Sequence, residues 1–70
     1  MKTIQFELQD DYIELIKLLK VTGLCDTGGM AKWAVESGSV MVDGELEQRK
    51  RCKLRKGQQI EFQGYTIDVF

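Results

Sequence analysis

A chain of 70 residues is enough for one domain with a modest core and too short for a large catalytic cleft. With 43% hydrophobic residues, 30% charged residues and a net charge of −1, its composition is that of a folded soluble protein, which excludes a disordered chain and a membrane span. Histidine and proline are absent, which removes the commonest general base, the commonest zinc ligand and every serine–histidine or cysteine–histidine pair.

Residues 3–8 alternate, with Ile4, Phe6 and Leu8 on one face, and predict an N-terminal edge strand. Tyr12, Leu15, Ile16 and Leu19 fall at i, i+3, i+4 and i+7, predicting a first helix from Tyr12 to Lys20. Asp11 and Glu14 have the spacing of a capping-box variant at its start, and Gly23 sits where a left-handed residue ends it. Thr27 caps a second helix, Gly28 to Ser37, with Met30, Ala31, Ala34 and Val35 on its apolar side and Gly38 as its stop. Trp33 lies at the margin of that stripe and is expected to cover the small core; stacking on an unpaired base is the competing reading. Gly28 and Gly29 either expose helix amides to a phosphate or give flexibility where the two helices meet.

Val40 and Val42 share one face of a strand that turns at Asp43-Gly44, and Leu46 is expected to continue its apolar face. Beyond it, Arg49, Lys50, Arg51, Lys53, Arg55 and Lys56 form a run interrupted only by Cys52 and Leu54, with no carboxylate inside it. An extended run would place Arg49, Arg51, Lys53 and Arg55 in one outward row and Cys52 and Leu54 inward. After a turn at Gly57, Ile60 and Phe62 lead through Gln63-Gly64 to Tyr65, Ile67 and Val69, a closing hairpin. The expected fold class is therefore α+β, a two-helix hairpin packed on a small antiparallel sheet with an added N-terminal strand, all within one domain spanning 1–70.

The near-neutral net charge hides a division. Residues 1–47 carry four lysines against nine carboxylates, net −5, whereas residues 48–70 carry six cations against Glu61 and Asp68, net +4. An unneutralised cationic segment attracts polyanions, and an acidic remainder orients the molecule on them. Edge protection needs fewer charges than this segment holds, so nucleic-acid contact is the preferred reading. Cys25 and Cys52 lack metal-ligand spacing and are expected to be reduced packing residues. Met1-Lys2-Thr3 opens an amphipathic pattern and not a signal-peptide core, so a cytoplasmic location without membrane attachment is expected. No catalytic residue, metal site or cofactor is expected.

The stretch from Thr27 to Glu47, ThrGlyGlyMetAlaLysTrpAlaValGluSerGlySerValMetValAspGlyGluLeuGlu, followed by the Lys/Arg pattern and LysGlyGlnGlnIle, resembles the RNA-binding domain named after ribosomal small-subunit protein S-four. The resemblance covers about residues 12–62, and the short chain with its N-terminal strand and ArgLysArgCysLys segment is most similar to the stand-alone bacterial YbcJ-like branch. It implies an αL RNA-binding motif that binds structured RNA such as ribosomal or transfer RNA. Lys32, the Asp43-Gly44 turn, Arg49 and Lys53 match positions of the family pattern. Gly28 stands where many members place an arginine, which shifts the implied contact toward residues 49–56. The resulting expectation is a non-catalytic RNA-binding module using Lys32, Arg49, Lys50, Arg51, Lys53, Arg55 and Lys56 on phosphates. The alternative is a small adaptor that presents the same segment to an acidic protein partner.

Overall fold

The computed structural model describes residues 2–70. In chain order the elements are β1 (Lys2–Phe6), β2 (Ile13–Glu14), α1 (Leu15–Val21), α2 (Gly28–Glu36), β3 (Val40–Val42), β4 (Glu45–Leu46), β5 (Lys53–Leu54), β6 (Gln59–Phe62) and β7 (Tyr65–Val69). Five strands form one sheet in the order β1-β7-β6-β3-β4, and β2 pairs with β5 in a separate two-stranded ladder. The main sheet is antiparallel except at its edge, where β1 runs parallel to β7. The expected α+β architecture, with two helices, a mostly antiparallel sheet and an N-terminal edge strand, is the observed one.

The alternation of apolar residues sets the register. Ile4 faces Ile67, Ile67 faces Ile60, Ile60 faces Val42 and Phe62 faces Val40, so one pleat surface is apolar across four strands. Against it pack Leu15, Leu18 and Leu19 of α1 and Ala31, Ala34 and Val35 of α2, with Leu8, Ile13 and Leu54 closing the core. The small alanines let α2 lie close to α1. Both hairpins close through two-residue turns with positive φ, Asp43 (51°) and Gly44 (83°), then Gln63 (48°) and Gly64 (81°), as a right-handed strand twist requires.

Four local expectations need correction. The first helix starts at Leu15 and not at Tyr12, because Ile13 and Glu14 are drawn into the ladder with Leu54 and Lys53. Its N-terminus has no side-chain cap, so Asp11 and Glu14 do not form a capping box. On α2 the buried stripe is Ala31, Ala34 and Val35; Met30 is 50% exposed and Trp33 67% exposed, so Trp33 does not cover the core. Leu46 pairs with Met41 on the outer face of the sheet, where both are exposed.

Candidate nucleic-acid interface

The basic segment does not continue as a strand, and a carboxylate just outside it is the reason. Glu47 Oε2 accepts from the Arg49 backbone N–H and from Arg49 Nε, each at 3.0 Å, while Oε1 accepts from Nη2 at 3.1 Å. The chain curls around this fork, and the Cys52 N–H donates to the Arg49 carbonyl at 3.0 Å, which puts Lys50 and Arg51 at the centre of a β-turn. The carbonyls of Cys52 and Lys50 accept from the Leu15 and Ile16 amides of α1 at 2.9 and 3.1 Å. Helix α1 thus finds in the basic segment the partners that its own side chains do not supply.

Only Lys53 and Leu54 are extended. Leu54 is fully buried opposite Ile13, and Lys53, its neighbour on the other face of the ladder, is exposed. The Lys53 ammonium lies 4.9 Å from the centre of the Tyr12 ring and the Arg55 guanidinium 5.9 Å, both within cation–π range. Arg55 also donates through Nη1 to the Asp11 carbonyl at 3.4 Å. A second turn follows, containing Lys56 and Gly57, in which the Gln58 side-chain oxygen accepts from the Arg55 N–H at 2.7 Å. Asp43 braces this turn, its carboxylate accepting from Gln58 Nε2 at 3.1 Å and from the Gln59 N–H at 2.9 Å.

The expected single row of Arg49, Arg51, Lys53 and Arg55 therefore does not exist. Two cationic groups flank the start of α1 instead. Lys50 lies on the side of α2, where its Nζ is 3.8 Å from Glu36 Oε2 and Lys32 occupies the same helix face one turn before Glu36, and Arg51 follows it in the turn. Lys53 and Arg55 lie on the side of Tyr12. Lys32, Arg51, Lys53, Arg55 and Lys56 are exposed, and Lys50 is half-buried.

Arg49 is the most tightly paired cation of the run, closer to its carboxylate than Lys50 is to Glu36. Its side chain is 80% exposed, yet Glu47, only 15% exposed, neutralises it, so the run is not free of local compensation. The Arg49 hydrogen bond is the main cause that holds the Glu47 carboxyl down to about 2 from an ordinary 4.5. Burial, reinforced by Glu47, pushes the neighbouring Cys52 thiol up. Both cysteines are free thiols, Cys25 buried and Cys52 half-buried. Among the described residues no cluster of His, Cys, Asp or Glu can hold a metal ion, and no helix is long and apolar enough to cross a membrane. Sequence reasoning missed Tyr12 as the seat of two cations and Glu47 as the partner of Arg49; the Glu-x-Arg spacing was the available signal for the second.

This geometry sits in a chain with recognisable relatives. The "Putative RNA-binding protein YbcJ" of Escherichia coli (strain K12) is 45% identical over 58 residues, covering 83% of this chain and 83% of that protein. The "Probable ribosome maturation protein RlbA" of Bacillus subtilis (strain 168) is 33% identical over 58 residues, covering 83% of this chain and 82% of the relative. The solution structure of YbcJ from E. coli, described as revealing an αL motif involved in RNA binding, superposes with a TM-score of 0.70 at 40% identity over 99% of this chain and 86% of that one. The model of the S4 domain matches residues 6–70, from the end of β1 through the last strand. Helix pair, turns and basic segment all lie inside that match, and the chain belongs to the S4 domain family.

Proposed function

We propose that this protein is a non-catalytic RNA-binding module that holds the phosphate backbone of a folded RNA, with ribosomal RNA favoured over transfer RNA. The observation that carries the reading is the basic segment itself. Its backbone is fixed by the α1 amides, Glu47 and Gln58, while the charged ends of Arg51, Lys53, Arg55 and Lys56 remain exposed. Cations held on a fixed backbone lose little freedom when a phosphate arrives, and contacts of this kind position a protein on RNA by shape more than by sequence. The names of YbcJ and RlbA support RNA as the polyanion and the ribosome as its setting. Lys50 and Lys32 extend the surface along α2. Arg49 contributes through its Nη1 hydrogens, which the Glu47 fork leaves unused.

The test is a salt titration. Each phosphate neutralised contributes roughly 0.7–0.9 to the magnitude of the slope of log affinity against log salt. Replacing Arg51, Lys53 and Lys56 together by Gln flattens that slope by about two to three units on ribosomal RNA fragments while circular dichroism stays unchanged. Equal slopes for the wild type and the triple variant would place the contact elsewhere. A pull-down that keeps its protein partner after ribonuclease treatment would favour an acidic protein as the ligand.

A further inference from the structure

We propose that the groove between α2 and the β6–β7 hairpin is a stacking site for one unpaired RNA base, with Trp33 as its platform. The proposal rests on the RNA-binding reading above and adds to it a contact that is not electrostatic. The groove encloses about 450 Å³ and is lined by Leu24, Met30, Trp33, Phe62, Gln63 and small residues around them, with no charged side chain. Trp33 is 67% exposed although its helix has a well-defined buried stripe on another face, so the indole contributes little to the core.

The space over the indole is open for a local reason. Long helical side chains lean toward the preceding turn, and four residues before Trp33 that turn carries Gly29. A Cβ built on Gly29 would meet only Thr27 Oγ1, at 3.8 Å, and one on Gly28 would meet nothing within 4 Å. Gly29 lines the groove without adding side-chain bulk to it. Met30, on the groove side, supplies a polarisable thioether beside it, and the exposed Gln63 amide at the hairpin tip offers a donor and an acceptor to a base edge.

Size and charge select the occupant. A protein partner needs roughly 800 Å² on each side of a stable interface, far more than one short groove beside an exposed indole provides. A planar, uncharged base fits an uncharged slot, and its flanking phosphates meet Lys32, the residue preceding Trp33 on the exposed side of α2. Lys32 in turn shares its helix face with the Glu36 that contacts Lys50, so one helix carries both a wall of the groove and a cation of the proposed phosphate surface.

Trp33 is the only tryptophan, so its fluorescence reports on this site alone. The probes are an RNA hairpin with an adenosine loop and the same hairpin with an abasic loop, with anisotropy of a dye on the RNA as an independent measure of binding. The expected result is quenching of Trp33 by the adenosine loop and not by the abasic one. Trp33→Ala should lower affinity for the adenosine loop by roughly 5- to 150-fold, leave the salt slope unchanged, and be largely rescued by Trp33→Phe. Anisotropy showing binding while the indole emission stays constant overturns the stacking site and leaves the phosphate reading intact. Absence of binding to either hairpin at low salt overturns both. Quenching that follows protein concentration instead of RNA assigns the groove to self-association and overturns the stacking site.

Discussion

At the scale of single residues, the consequential group is Glu47. Its carboxylate holds the turn that presents Lys50 and Arg51, and Arg49 keeps it ionised down to about 2. Because its pKa in the folded protein lies below the ordinary 4.5, its contribution to the turn is complete above about 4.5 and is lost as pH falls through about 2. A carbon-detected NMR titration of the Glu47 carboxyl should therefore show a midpoint near 2, moving back toward 4.5 in Arg49→Ala. A midpoint of 4.5 in the wild type would mean that the fork is not populated in solution. Tyr12 shows the converse pattern: an exposed ring outside any helix gathers Lys53 and Arg55 without neutralising either, so the cations stay available to an anion.

At the scale of elements, each helix is started by a different device. Helix α2 is capped from within, the Thr27 hydroxyl accepting the Met30 amide at 3.1 Å. Thr27→Ala should cost about 1 kcal/mol in chemical denaturation, with no change in the charge of the proposed phosphate surface. Helix α1 is started from outside, by the Cys52 and Lys50 carbonyls, and this contact is anchored by Leu54 in the two-stranded ladder. Leu54→Ala removes a fully buried side chain and should destabilise by about 2–5 kcal/mol. If the ladder anchors the basic segment as described, hydrogen exchange of the Leu15 and Ile16 amides should rise more in that variant than exchange in the β6–β7 hairpin. Uniform acceleration across the chain would separate the anchor from the segment.

At the scale of the whole molecule, the charge division persists in three dimensions but is not a clean split into faces. Glu7, Asp10, Asp11 and Glu14 line a depression that includes Tyr12, so acidic groups adjoin the Lys53–Arg55 group directly. Like charges near a binding site slow the approach of a polyanion and discourage misplacement. Asp10→Asn with Asp11→Asn should speed RNA association several-fold at low salt by stopped-flow anisotropy. The gain should vanish near 1 M salt, where the screening length falls to about 3 Å. A rate difference that survives high salt would point to a direct contact instead of a field.

The sequence alone was enough for the alternating strand faces, both hairpin turns, the second helix with its cap and the family pattern, because each depends on neighbours close along the chain. Alternating Ile, Phe and Val residues specify a pleat face, and Asp43-Gly44 and Gln63-Gly64 adopt the positive φ that their turns demand. Tertiary structure decided three things that local pattern did not carry. The register of Ile13 with Leu54, 41 positions apart, removed Tyr12 from the helix and brought it to the cations. The Glu47 fork on Arg49, together with the α1 amides that the Cys52 and Lys50 carbonyls satisfy, holds the basic segment in a turn, overriding the alternation that predicted one cationic row. Trp33 was left outside because the leucines of α1 and the apolar sheet face fill the core against Ala31, Ala34 and Val35. Helical periodicity placed the indole at the margin of the stripe, but only the finished core determined that the margin faces water.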